Sequence, residues 1–297
     1  KIESIQEGEP MWSGKLIVNP EILEKFLANG QSHPTVSADF PAKPITTHLG
    51  WDNLVINKAT MAEVETIQNW LAHHHDMVKA WSLQHMFKAG YKALFYGPPG
   101  TGKTFTATLL GKQFQKEVYR IDLSQVVSKY IGETEKNLEK VFQKAENKNW
   151  ILFFDEADAL FGKRTSISSA HDRYANQETA YLLQRIEDFD GLVILASNDK
   201  SNIDPAFLRR FNAIVHFPVP DAEERLQLWQ IYLPQKNNLS KEEVNEISAR
   251  YEVTGSTVLN AVHHSAITAF ASKRLIGYND NIESLKREMR KEDRMLN

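Results

Sequence analysis

Gly97-Pro98-Pro99-Gly100-Thr101-Gly102-Lys103-Thr104 fits the pattern G-x-x-x-x-G-K-[ST] at every fixed position. In such a loop the glycines let backbone N–H groups turn toward phosphate oxygens. The lysine reaches the terminal phosphates and the hydroxyl holds Mg²⁺. Lys103 and Thr104 are therefore the phosphate and metal candidates, with Pro99, Gly100, Thr101, Gly102 and Phe105 around the same nucleotide. A Gly/Pro surface turn is the competing reading, and the flanks oppose it. Lys92–Tyr96 reads as a buried strand entering the loop, and Phe105–Phe114 as a helix leaving it.

Outward from the loop, the pattern repeats. Val118–Leu123, Trp150–Phe154, Leu192–Ala196 and Ala213–Phe217 are further apolar strands. Leu138, Val141, Phe142 and Ala145 fall at i, i+3, i+4, i+7, which is helical spacing. Another helix is expected around Tyr174–Ile186. Continuous apolar strands alternating with helices predict an α/β fold with a parallel sheet covered on both faces. Thr60-Met61-Ala62-Glu63 has capping-box spacing and predicts a helix carrying Val64, Ile67 and Leu71. Pro34, Pro41 and Pro44 among small polar residues predict an extended linker over Ser32–Pro44, after one short helix near Ile22–Leu27.

Beyond Pro218 and Pro220 the pattern is helical only, with a second capping box at Ser240-Lys241-Glu242-Glu243 and apolar faces in Ser256–Ser272 and Ile282–Met289. The expected organisation is an N-terminal segment and linker over 1–47, an α/β nucleotide-binding core over 48–220 and a helical lid over 221–297.

The bulk numbers exclude several classes. With 42% hydrophobic and 25% charged residues, the 297-residue chain has ordinary globular composition. A net charge of −3 argues against a dedicated nucleic-acid binder. No apolar run reaches the ~20 residues of a membrane span, and the start has no secretory pattern. The absence of cysteine excludes disulfides and thiolate zinc sites and fits a cytoplasmic protein. Because the chain begins at Lys1 rather than at a methionine, an upstream region is expected.

Ile151-Leu152-Phe153-Phe154-Asp155-Glu156 is an apolar strand ending in two carboxylates. Asp155 can hold the Mg²⁺ shell from the side opposite Thr104. Glu156 can polarise a water for in-line attack on the terminal phosphate. Asn198, which ends the fourth strand, could orient that water or could simply serve the turn Ser197-Asn198-Asp199; spacing leaves both readings open. A guanine-selecting Asn-Lys-x-Asp sequence does not occur.

Together these motifs resemble the AAA family of ring-forming ATPases. The matching pieces run in family order from Trp51-Asp52-Asn53-Leu54 through the phosphate loop, Ser128–Asn137, Ile151–Leu160 and Ser197-Asn198 to Ile203–Phe211 and Thr254-Gly255-Ser256. The resemblance implies a five-stranded core with a helical lid, ATP and Mg²⁺ as ligands, a homo-oligomeric ring expected to be a hexamer, and a protein substrate. It places Lys103, Glu156, Asn198 and Arg210 in catalysis and Thr104 and Asp155 at the metal. Adenine contacts fall on Asn53 and Val55, and lid contacts on Gly255 and Ser256. Arg209 and Arg210 match the segment that reaches a neighbouring subunit's nucleotide; the family separates its two arginines, whereas here they are adjacent, and Arg210 is the favoured finger. Tyr130 and Ile131, before Gly132, match the loop that lines the ring's pore and grips polypeptide; packing as ordinary core residues is the alternative for them. Longer stretches, including Phe40–Val55 and His171–Asn198, resemble ATPases encoded with phage-tail-like contractile injection particles.

Two histidine clusters are left aside. His73-His74-His75 point about 100° apart on a helix and cannot jointly grip one ion. His263-His264 read as lid packing or surface. ATP-driven protein remodelling is thus the expected function, with a nucleic-acid motor or a nucleotide-gated assembly component as alternatives.

Overall fold

The strands are apolar at consecutive positions because both faces of their sheet are covered. In the computed structural model, which describes residues 41–83, 85–87, 90–123, 133–158 and 180–291, six strands form one sheet. They are β1 (Ala42–Ile45), β2 (Tyr91–Tyr96), β3 (Val118–Asp122), β4 (Ile151–Asp155), β5 (Leu192–Ser197) and β6 (Ala213–His216). Their spatial order is β1-β3-β4-β5-β2-β6. The last five are parallel, as expected, and the register Phe154↔Leu195 and Tyr96↔Ser197 sets the ends of β4, β5 and β2 side by side. The chain returns past β2 between β5 and β6, so β2 lies at the switch point where open α/β sheets bind ligands beyond their strand ends.

β1 is a correction to the linker expected over Ser32–Pro44. Ala42–Ile45 pairs antiparallel with β3, Pro44 lying opposite Tyr119. An edge strand tolerates proline because one row of its backbone groups has no ladder partner to lose. The sheet therefore begins before residue 48: among the described residues an antiparallel edge strand adds to the five parallel strands expected.

Four helices accompany the sheet: α1 (Lys58–Ala80), α2 (Lys103–Gln113), α3 (Glu133–Lys148) and the short α4 (Pro205–Leu208), along with helical residues 180–188. The start of α1 differs from the expected capping box. Asn57 is the cap, its side-chain oxygen accepting from the Thr60 N–H at 2.7 Å. Thr60 lies inside the helix, buried, and its hydroxyl donates to the His216 carbonyl at 2.6 Å. Val64 and Ile67 of α1 join Phe95, Leu110, Phe153, Ile194 and Val215 in the sheet's core.

The C-terminal helices are α5 (Ala222–Tyr232), α6 (Lys241–Arg250), α7 (Gly255–Ala271) and α8 (Tyr278–Lys291). Reciprocal capping boxes open α5 at Asp221/Glu224 and α6 at Ser240/Glu243. They bury a core of their own around Trp229, Ile247, Val258, Ala261 and Leu285. His264 belongs to this packing through a 2.8 Å contact of Nδ1 with the Ser284 hydroxyl. Among the described residues no helix is long and apolar enough to cross a membrane, and no group of three or more histidine, aspartate or glutamate side chains is placed to hold a metal ion by itself.

Candidate active site

The phosphate loop is wedged between the end of β6 and the start of α7. Gly97 has φ +143°, and a Cβ there would meet the Phe217 carbonyl oxygen at 2.0 Å. Gly100 has φ +77°, and a Cβ there would meet Ser256 Oγ at 1.8 Å. Only glycine satisfies both the dihedral and the space at these positions. The Gly100 carbonyl accepts from the Ser256 N–H at 3.2 Å, so the loop is tied directly to α7.

Lys103 opens α2 and folds back across its own loop. Its ammonium donates to the Gly97 and Pro98 carbonyls at 2.5 and 2.9 Å. Burial lowers its pKa, and the nearby Asp155 and Asp158 carboxylates work against that shift.

At the end of β4, Asp155 Oδ2 forms a 2.9 Å ion pair with Arg120 Nη2 from β3. Its other oxygen accepts from the Glu156 N–H at 3.0 Å. Glu156 is exposed and has φ +54°, a conformation rare outside glycine and often associated with functional sites. The following residue is held tightly, the Ala157 N–H donating to the Ala196 carbonyl at 2.8 Å. Asp158 carries a buried Oδ1 without a hydrogen-bond partner.

Of these residues, Gly100, Lys103, Asp155, Glu156 and Ser256 line one cleft of about 680 Å³. All eleven of the expected nucleotide contacts lie on its wall: Asn53, Val55, the run Pro99–Phe105, Gly255 and Ser256. Asp155, Glu156 and Asn198 line it as well. Arg209 and Arg210 do not. Arg210 is half-exposed and pairs with Glu187. Tyr130 and Ile131 lie outside the described residues, as do 1–40.

The sequence reading missed the apolar part of the wall. Ile56, Pro218, Pro220, Leu228, Ile231 and Tyr232 form it. Burial raises the Tyr232 pKa and keeps the phenol neutral. Pro218 and Pro220 carried a signal as the point where the sequence changes character; Leu228 and Tyr232 carried none, since an apolar face of a helix looks the same whether it meets a core or a ligand. The segment leading to Asn53 is fastened to α2, where Lys112 Nζ donates to the His48 and Leu49 carbonyls at 2.9 and 2.7 Å. Trp51 Nε1 donates to Gln113 Oε1 at 2.9 Å. Arg120 was also missed, although a cation inside the apolar run Val118–Leu123 is a visible anomaly.

The donor set fits a nucleotide with a hard divalent cation. The loop offers a glycine cradle beside a buried ammonium. Thr104 and Asp155 carry oxygen atoms of the kind Mg²⁺ prefers, in the small number it takes from protein when phosphates supply others.

Residues 93–219 match the AAA family, described as ATPases associated with various cellular activities. Curated proteins similar to the chain include cell division protein C of Sulfolobus acidocaldarius, 32% identical over 194 residues that cover 61% of this chain and 52% of that protein. The proteasome-activating nucleotidase of Methanococcus vannielii is 36% identical over 166 residues, 54% of this chain and 40% of its own. That of Saccharolobus solfataricus is 30% identical over 213 residues, 68% and 54% of the two chains. The chain thus spans about half the length of the curated relatives it matches.

Proposed function

We propose that this chain binds ATP in the cleft and hydrolyses it, and that turnover drives remodelling or disassembly of a protein substrate by a ring of subunits, expected to be a hexamer. The observation that carries the proposal is convergence. The phosphate loop, the carboxylate pair ending β4, Asn198 after β5 and the first residues of α7 line a single cleft although they are up to 160 positions apart in the chain. In this reading residues up to Pro220 form the nucleotide-binding core and those from Asp221 the lid.

The division of labour follows from placement. Lys103 turns from its loop carbonyls to the terminal phosphates. Thr104 and Asp155 would hold Mg²⁺, which would supply positive charge against the negative charge that develops as the phosphate is transferred. Glu156, exposed at the strand end, accepts a proton from the attacking water, and Asn198 orients that water. The apolar wall with Tyr232 takes the base, whose planar ring has the shape and polarity for such a surface. Arg210, outside its own cleft, serves a neighbour's, where an arginine stabilises transition-state charge. Tyr130 and Ile131 grip the polypeptide. The name proteasome-activating nucleotidase, carried by several relatives, supports a protein substrate over a nucleic acid. Those relatives do not point to a contractile injection particle, and that narrower assignment rests on the sequence stretches alone.

The test is Glu156→Gln. ATP turnover is expected to fall by roughly 100-fold or more, the range for loss of a general base, with ATP binding retained. Turnover within a few fold of the parent would remove Glu156 from the reaction. The trapped complex then serves to isolate the protein partner.

A further inference from the structure

We infer that Arg120 is a resident counter-ion of Asp155 that competes with the divalent cation for it, and so sets the Mg²⁺ concentration at which the site fills. The inference rests on the reading that Asp155 is a Mg²⁺ ligand.

Arg120 and Asp122 lie on the same face of β3, two residues apart. Asp122 is the register partner of Asp155 on β4, so two carboxylate residues lie side by side at the strand ends, Asp155 lining the cleft. Arg120 stands one pleat back and reaches forward to Asp155, its Nη2 2.9 Å from Oδ2. The other Asp155 oxygen is engaged by the Glu156 N–H, so both oxygens have a donor. A cation approaching Asp155 meets a carboxylate whose lone pairs are partly committed and whose charge is partly cancelled. Either the guanidinium withdraws, or it stays and repels the incoming charge; both raise the Mg²⁺ requirement. The Arg120 side chain is 42% exposed, so water can receive its Nη groups when it lets go. Its Nε is buried without a hydrogen-bond partner, so the side chain is held by its stem and by one ion pair. That arrangement favours a competitor that can yield over a fixed strut.

Physically, the interaction is of the size that tunes a site. A half-exposed pair contributes modestly, and a hydrogen bond to a charged group somewhat more. Its removal is therefore expected to lower the half-saturating Mg²⁺ concentration by roughly three- to tenfold.

The experiment uses the full chain and a fluorescent N-methylanthraniloyl-ADP, whose signal reports binding without turnover. MgCl₂ is titrated at fixed nucleotide for the parent, Arg120→Gln, Arg120→Lys and Asp155→Asn, with binding in EDTA as the reference. Arg120→Gln is expected to shift half-saturation to lower Mg²⁺, Arg120→Lys to fall between it and the parent, and nucleotide affinity in EDTA to stay put. Thermal melts establish that each variant is folded. If Arg120→Gln misfolds, Arg120→Lys decides alone, since the shorter side chain still loses the Nη contact. An unchanged or raised Mg²⁺ requirement in the folded arginine variant, with Asp155→Asn impaired as expected, overturns the inference and leaves the metal reading intact. A Mg²⁺ response untouched in Asp155→Asn overturns the metal reading itself.

Discussion

The two walls of the cleft are built on different principles. The sheet wall places polar groups at the ends of neighbouring strands, where the register of β4, β5 and β2 fixes Asp155, Asn198 and the phosphate loop relative to one another. The helical wall offers mostly apolar surface from α5, and its own core is separate from the sheet's. The two meet at few polar points, chief among them the Ser256 N–H on the Gly100 carbonyl. Polar groups in fixed register thus sit on the sheet, and apolar surface sits on helices with a core of their own.

The seam at Gly100 is the place to break that contrast most severely. Gly100→Val brings a branched side chain into Ser256 at a positive φ. Nucleotide affinity is expected to fall by roughly 100-fold, about 3 kcal/mol, from backbone strain and a displaced wall together. Isothermal titration calorimetry beside a thermal melt checks it, and an affinity near that of the parent would mean that the walls are not coupled through the loop.

A second change acts on the helical wall alone. Arg225 is buried, its Nε and Nη1 donating to the Ser248 and Pro220 carbonyls at 2.7 and 2.6 Å. Arg225→Met leaves both acceptors without that donor and is expected to destabilise the protein by about 2–3 kcal/mol. If the walls are separate cores, chemical denaturation of this variant shows the C-terminal helices unfolding ahead of the sheet; a single sharpened transition would show one cooperative unit instead.

Acid separates the walls more gently. Asp280 caps the turn into α8, accepting from Arg274 and from the Gly277 N–H, and the Arg274 hydrogen bond holds its pKa below the ordinary carboxylate value. A depressed folded-state pKa contributes stability that is present above the unfolded value of about 3.9 and lost as pH falls through the folded one. Asp280→Asn is therefore expected to be less stable than the parent at neutral pH, with the difference shrinking as pH falls below the ordinary carboxylate range and through the lowered folded-state value. A difference that persists undiminished in acid would assign the effect to packing.

The smallest effect is expected at Ser256→Ala. The seam uses its backbone N–H, and its hydroxyl contacts Thr254 at 3.1 Å. Stability should change by no more than about 0.5 kcal/mol. A tenfold loss of nucleotide affinity would instead show that the hydroxyl itself meets the ligand.

Legibility in the sequence followed the same division. GPPGTGKT and the carboxylates after Phe154 were readable because phosphate and metal chemistry demand particular residue types at fixed local spacing. Five strands were readable because burial on both faces leaves long apolar runs. β1 was hidden by its prolines, whose meaning depends on whether the strand is an edge. The helix cap at Asn57 was hidden because Thr60 and Glu63 offered an equally regular local pattern; what decided was a distant acceptor, the His216 carbonyl.

By itself, then, the sequence determined that a glycine-rich loop of the phosphate-binding pattern sits at a strand-to-helix turn, with a carboxylate pair at the end of another apolar strand, since those patterns are local. The tertiary structure alone decided that Gly100 must accommodate Ser256, that Leu228 and Tyr232 face the same cleft as the phosphate loop, that Arg210 rests on Glu187, and that Arg120 pairs with Asp155. Each of these is a contact between segments far apart in the chain, and no local spacing encodes which distant partner a side chain will meet.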